Sequence, residues 1–307
     1  MQPIMLAATL GQWLDTTFYA FDMWVYRIFG GIIDSPLGDF FTEFAKFITS
    51  FGDSDFVEPM VVVGIVLMLF KRTRKYGIAL LFSIIIGTLI TNVALKPLAL
   101  RVRPYNTLQG VAEYFGWYKA VGAFAESDYS FPSGHTTAAF EMAIGLFLCF
   151  KADKRKIGYI LPVLAIGTMG SRIYLMVHYP TDVLGGVLAG TVAGILGYFV
   201  AKGIVALLDK KGLNDKLDLE RVFKKLTKKD INGKIASVLI FVVVAGFFTY
   251  SWVNLLNEEK VEPVRCAYAD EAYDCQNFAR VDDEDYPAID GENFCKIHWK
   301  QLNGIEE

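Results

Sequence analysis

Long apolar runs, each stopped by charge, constrain this chain more than any other feature. In order they are FVEPMVVVGIVLMLF (56–70), YGIALLFSIIIGTLITNVAL (76–95), HTTAAFEMAIGLFLCF (135–150), IGYILPVLAIGTMGSRIYLMV (157–177), DVLGGVLAGTVAGILGYFVAKGIVALL (182–208) and IASVLIFVVVAGFFTYSWVNLL (235–256). A membrane-crossing helix takes about 20 apolar residues, so six spans are expected, the first of them short. A soluble protein with six such runs would need amphipathic helices to cover them, and few segments here could do so. Composition agrees: 53% of the 307 residues are hydrophobic and the mean hydropathy is +0.35. The expected fold is all-α, a polytopic membrane helical bundle.

Residues 1–55 read differently. FYAFDMWVYRIFGGIID and DFFTEFAKFITSFGD mix aromatics with charges at helical spacing, which suits amphipathic helices lying in the membrane interface. The rival reading makes 17–33 a further span despite Asp22 and Arg27. No basic region precedes the first apolar residues, so no cleaved signal peptide is expected. The basic clusters KRTRK (71–75), KADKRK (151–156) and the segment 209–230 follow the first, third and fifth spans. All three therefore belong on one side, the cytoplasmic one by the positive-inside rule. Loops 96–134 and 177–182 then face the opposite side. The expected organisation is an interfacial segment (1–55), a transmembrane core (56–208), a basic cytoplasmic connector (209–234), an additional span (235–256) and an acidic extracytoplasmic tail (257–307).

The tail holds Cys266, Cys275 and Cys295, while Cys149 sits in an apolar run and reads as a small buried hydrophobe. Outside the cytoplasm two of the three tail cysteines could pair, with connectivity open. The tail is expected to be either a loose acidic extension or a small disulfide-stapled subdomain. Cys295 and His298 make a poor metal site by themselves, because no further ligands lie at suitable spacing nearby. The net charge of −3 gives no reason to expect a nucleic-acid partner.

The unusual polar residues gather on the face opposite the basic clusters. Lys96 and Arg103 share a side if the helix continues between them, though Pro97 and Pro104 make that doubtful. Ser133 is a natural N-cap, and the free amides from Gly134 onward form an anion site. His135 in that first turn is not explained by capping, because the helix dipole disfavours a cation there. Arg172 could be a snorkelling side chain. His178 and Asp182 are four apart, close enough for a carboxylate to orient the ring and stabilise its cation. A merely structural His–Asp pair stays open for that pair alone. Together these groups supply three cations, backbone amides and two histidines, an inventory that suits attack on a phosphate group.

The three groups resemble the signature of the type 2 phosphatidic acid phosphatase superfamily, K-x6-R-P, P-S-G-H and S-R-x5-H-x3-D. Here these read Lys96 to Arg103-Pro104, Pro132-Ser133-Gly134-His135, and Ser171-Arg172 through His178 to Asp182. The resemblance covers roughly 75–205. It implies a helical bundle and a lipid phosphatase that uses no cofactor and requires no metal. In it His178 resembles the nucleophile that becomes a phosphohistidine, Asp182 its orienter, and His135 the general acid. Lys96, Arg103, Ser133, Gly134 and Arg172 resemble the phosphate cradle. The implied substrates are an isoprenyl (undecaprenyl-type) pyrophosphate first, then phosphatidate or phosphatidylglycerophosphate-like lipids, met at the outer face of a bacterial plasma membrane. Two other functions fit the same residues: a phosphotransferase that passes the group to a lipid hydroxyl, and a lipid-phosphate binder or transporter that does not turn over. Vanadium haloperoxidases share the signature but are soluble.

Overall fold

Capping and proline placement set where the helices of this chain begin. In the structure, a computed structural model, residues 9–227, 264–270, 274–281 and 283–305 are described, with isolated positions 238, 242, 245, 246 and 249 between them. The span expected at 235–256 therefore lies almost wholly outside the described residues. Helix α1 (Leu10–Ile33) starts at Thr9, whose hydroxyl accepts from the Gln12 amide while the Gln12 side chain reaches back, a reciprocal capping box. Helix α2 (Gly38–Thr49) follows, then α3 (Ser54–Leu69) and α4 (Arg74–Thr88). The chain continues from α4 through a π-helical turn, Leu89–Leu95, into α5 (Lys96–Ala99). It breaks at Leu100, held at φ 51, a left-handed conformation that helices do not continue through. Short helices α6 (Pro104–Thr107) and α7 (Ala112–Ala120) lie on that end of the bundle.

The bundle proper is α4, α8 (Gly134–Ala152), α9 (Ile160–Tyr174) and the 31-residue α10 (Pro180–Lys210), flanked by α3. Small residues let α10 approach α8 and α4 closely. A Cβ on Gly190 would stand 2.5 Å from the Thr137 carbonyl oxygen, and one on Gly197 2.2 Å from the Ser83 hydroxyl. Among the described residues, three helices are long and apolar enough to cross a membrane: Arg74–Thr107, Lys156–Tyr174 and Pro180–Lys210. The segments expected as the first and third spans form α3, of 16 residues, and α8, which carries His135 and Glu141. Both pack in the same bundle.

The three basic clusters do meet at one end. Lys71 pairs with Asp215 at 2.9 Å, Lys75 pairs with Asp153, and the Arg74 guanidinium donates to the carbonyls of Asn214 and Leu217 at 2.8 and 2.7 Å. Helix α11 (Leu219–Thr227) continues from this connector.

The described residues of the tail form a small packed unit in which the cysteines are not joined to one another. Its described residues form isolated antiparallel bridges, Arg265 with Phe278, Ala269 with Asp274 and Ile289 with Glu292, and a short helix α12 (Lys296–Leu302). Cys266, Cys275 and Cys295 are buried free thiols. They pack with Phe294 as a small core, and His298 is buried beside them. The scarcity of ligands near Cys295 and His298 in sequence is corrected by the fold, which brings Cys266 and Cys275 to the same place. This unit docks on the end of the bundle opposite the basic clusters. Tyr105 donates to the Asn277 side chain at 2.7 Å, Gln276 donates its amide to Asn106 at 2.9 Å, and Arg265 donates to the Ala123 carbonyl at 2.7 Å.

Candidate active site

The signature residues come from five helices or their entrances, α5, α6, α8, α9 and α10, and converge at that docked end. Pro180 begins α10, so the turn before it, Leu175–Tyr179, is wholly buried and presents His178 at the helix entrance. Met176 in this turn has φ 61, a strained backbone for a non-glycine residue of the kind held in place at functional sites. Asp182, in the first turn of α10, accepts from the Tyr179 amide at 2.9 Å. Ser133 caps α8, its hydroxyl accepting from Thr136 at 3.0 Å, and its amide donates to the Asp182 carbonyl at 3.0 Å. The α8 and α10 entrances are thereby bonded to each other.

His178 and Asp182 are brought together, but not by the simple direct bond their spacing suggests. Nδ1 of His178 lies 3.7 Å from the Asp182 carboxylate. The Ser130 hydroxyl stands between, 3.4 Å from Nδ1 and donating to Asp182. On the other side of the ring, Arg103 Nη1 is 3.1 Å from Nε2 and also donates to the Val177 carbonyl at 3.0 Å. A guanidinium can only donate, so Nε2 is the acceptor and the proton sits on Nδ1. Burial, then the charges of Arg103 and Arg172, hold the His178 ring well below its ordinary pKa. It is neutral at pH 7.

The three cations also converge, and each meets a carboxylate of the 122–133 loop. Asp128 binds both Lys96 and Arg103, at 2.5 Å from Arg103, so the break at Leu100 does not prevent these two from sharing one face. Glu126 binds Arg172, whose Nη1 also donates to Thr49 at 2.9 Å. Arg172 Nε is buried without a partner, a donor left for a ligand oxygen to satisfy. Burial works against the Glu126 carboxylate, yet Arg103 and Arg172 outweigh it and hold it at about 2. Lys96 and Arg103 likewise pull Asp128 below the usual carboxylate range against its burial. His135 faces Asp53, with Nε2 3.6 Å from its carboxylate. A cavity of about 540 Å³ opens beside these groups, lined by Lys96, Gly134, His135, Glu126 and Asp128, and by Arg280 and Lys296 of the tail. His178, Arg103, Arg172 and Ser133 lie behind the two carboxylates rather than on its wall.

Several residues that hold this site were not read from the sequence. Arg101, fully buried, binds Asp182 at 2.6 Å, Asp22 at 2.9 Å and Asp15 at 2.8 Å. Asp22 also accepts from the Thr181 amide and hydroxyl at 2.9 and 2.8 Å. Tyr26 donates to the His178 carbonyl at 2.9 Å. The available signal was Asp22 itself, an aspartate in an aromatic helix, with an unassigned Arg101 between two signature positions.

Helices long and apolar enough to cross a membrane end here in a cluster of cations and two histidines. Comparison with known proteins gives the class. Residues 76–204 match the model of the PAP2 superfamily. The chain is 35% identical to phosphatidylglycerophosphatase B of Bacillus subtilis over 164 residues, 51% of this chain and 71% of that protein. It is 28% identical to lipid A 4'-phosphatase of Bacteroides thetaiotaomicron over 191 residues, 61% of this chain and 80% of that one. It is 34% identical to undecaprenyl-diphosphatase of Sulfolobus acidocaldarius over 131 residues, 43% of this chain and 58% of that one. The chain belongs to the PAP2 superfamily and is a PAP2-type phosphatase.

Proposed function

We propose that this enzyme removes phosphate from a membrane lipid phosphate or diphosphate through a phosphohistidine on His178. The observation that carries the reading is the orientation of that ring: Nδ1 turned to Ser130 and Asp182, Nε2 turned to the cations. A substrate phosphate displaces Glu126 and Asp128 and takes Lys96, Arg103 and Arg172 as partners. Ser133 and the amides from Gly134 complete the cradle at the α8 N-terminus. Nε2 then attacks phosphorus. The bond to the leaving oxygen breaks, and that oxygen takes its proton from His135, whose Nε2 faces the Asp53 carboxylate. Asp182 stays ionised and steadies the cationic ring. Water next attacks the phosphohistidine, giving its proton to the now neutral His135, and the P–N bond breaks to release phosphate. Three fixed cations supply the charge stabilisation, so this chemistry is assigned no metal and no cofactor.

The site is assigned to the outer face of a bacterial plasma membrane because the basic clusters lie at the opposite end of the bundle. Helices α1 and α2 are assigned to the membrane interface. The tail cations Arg280 and Lys296 at the cavity favour a lipid with a second phosphate, so an isoprenyl diphosphate ranks before phosphatidylglycerophosphate and phosphatidate. Phosphate release from each of these lipids by detergent-purified protein, compared with His178→Ala, tests the reading. A His178→Ala protein that still released phosphate at the wild-type rate would end it.

A further inference from the structure

The tail gathers a second set of reactive side chains, separate from the phosphate site. Cys266 and Cys275 lie on two segments tied by backbone bonds: Cys266 N–H donates to Asn277 at 3.0 Å and Cys275 N–H to Tyr268 at 2.9 Å. Cys295 is the N-cap of α12, and His298 lies three residues on, so both face the same side of its first turn. One ligand atom from each of the four comes within 4.8 Å of all the others. His298 Nδ1 is 3.2 Å from the Cys295 sulfur and 3.5 Å from the Cys266 sulfur. Around a tetrahedral zinc with Zn–S of about 2.3 Å and Zn–N of about 2.0 Å, such edges come to roughly 3.5–3.8 Å. The observed spacing falls near that geometry.

The surroundings suit bound thiolates. The Cys295 amide donates to the Cys266 sulfur at 3.2 Å, and the Asn277 side chain donates to the Cys295 sulfur at 3.6 Å. Donors aimed at sulfur stabilise its anion and orient it toward a metal. The His298 ring is stacked on Tyr268, centroids 3.9 Å apart and planes 4° from parallel, which fixes the direction of Nδ1. All four residues are buried, Cys295 at 0% exposure. A disulfide would use only two of the three sulfurs and leave a thiol and an imidazole buried against it. Moreover, among the described residues the tail core is these cysteines and Phe294, with Tyr268, Ile289, Ile297 and Trp299 partly buried around them. A unit this small needs a covalent or metal staple to hold its shape.

We propose that Cys266, Cys275, Cys295 and His298 bind one structural zinc ion, which holds the tail folded against the mouth of the catalytic cavity. The site is closed, with four protein ligands and no open position, so its role is structural. It bears on catalysis through α12: the helix that begins at Cys295 places Lys296, Ile297 and Lys300 on the cavity wall. Arg280, on the segment between Cys275 and Cys295, donates to Ser127 at 2.9 Å, beside Glu126 and Asp128. That catalytic consequence rests on the proposed function. The metal site itself does not.

Elemental analysis of full-length, detergent-purified protein, prepared without chelator, tests the site independently of activity. The expected result is about one zinc per chain in wild type and in Cys149→Ser, and none in Cys275→Ser or His298→Ala. Cobalt substitution should give thiolate-to-cobalt charge-transfer absorption. If the variants fail to accumulate, wild type still decides: its three tail thiols should resist alkylation until a strong chelator is added. Wild type free of zinc after incubation with equimolar zinc, or carrying iron in its place, or showing a tail disulfide by mass, overturns the proposal. With zinc present, loss of the tail ligands should raise KM for a diphosphate lipid several-fold and change kcat less. Zinc binding without that KM effect would leave the metal site standing and remove its link to substrate.

Discussion

Replacing Ser130 by alanine isolates the part of the site that spacing alone did not reveal. The hydroxyl is 3.4 Å from His178 Nδ1 and donates to Asp182, while the ring and carboxylate stand 3.7 Å apart. Without it, the buried Nδ1–H loses its nearest acceptor. Leaving a buried donor unsatisfied costs about 1–3 kcal/mol. In the proposed mechanism the ring gains positive charge when Nε2 bonds to phosphorus, so that cost would grow in the transition state. At about 1.4 kcal/mol per tenfold, kcat should fall roughly 5- to 150-fold, with KM changed less than threefold. The acid limb of the pH profile should move to lower pH, because the imidazolium loses an acceptor while the neutral ring loses less. A merely structural serine would change thermal stability and leave the profile in place. Ser130→Thr, which keeps the hydroxyl, should recover most of the rate. Steady-state phosphate release in detergent across pH provides the measurement. Activity within twofold of wild type and an unmoved acid limb would refute the bridging role.

Glu126→Gln removes the carboxylate that occupies Arg172, and inhibition by orthovanadate should tighten about tenfold; unchanged or weaker inhibition argues against displacement of that carboxylate by the phosphate. Because His178 is held well below the ordinary 6.5, the unfolded chain binds more protons than the folded one as pH drops through that value. Its contribution to stability is therefore complete above about pH 6.5 and is lost as pH falls below it, and the catalytic acid limb it sets should also lie below 6.5, both readable from pH-dependent melting and kcat/KM. Gly190→Ala forces a methyl group to 2.5 Å from the Thr137 carbonyl and should destabilise by about 1–3 kcal/mol, whereas Gly203→Ala, also within α10 but with nothing within 4 Å, should not lower the melting temperature and should stabilise by up to about 1 kcal/mol through helix propensity.

Sequence exposed the parts of this protein that repeat at fixed spacing. Apolar length found the helices of the bundle, and charge found their common basic end, because both are local properties. The signature residues Lys96, Arg103, Ser133, His135, Arg172, His178 and Asp182 were visible for the same reason. What it did not expose depends on contacts across the chain. Arg101 has no spacing to mark it, and only α1 brings Asp22 and Asp15 against it. Nothing in the sequence singles out Glu126 and Asp128, which between them pair with all three site cations. Cys266 and Cys275 stood too far from His298 in sequence to be counted with it, and only the tail fold closes that distance.

Helix α1 has a consequence for how the protein is made. Tyr26 has its hydrogen-bond acceptor 152 residues later at His178, and Asp22 meets Arg101 and Thr181 at separations of 79 and 159. Such long-range closures are the slow steps of folding. During synthesis α1 therefore emerges with an aspartate whose partners do not yet exist, and its contacts close only after α10 has begun. Helix α1 is thus completed late although it is made before the bundle it packs on, and the backbone at His178 is held only once that contact closes.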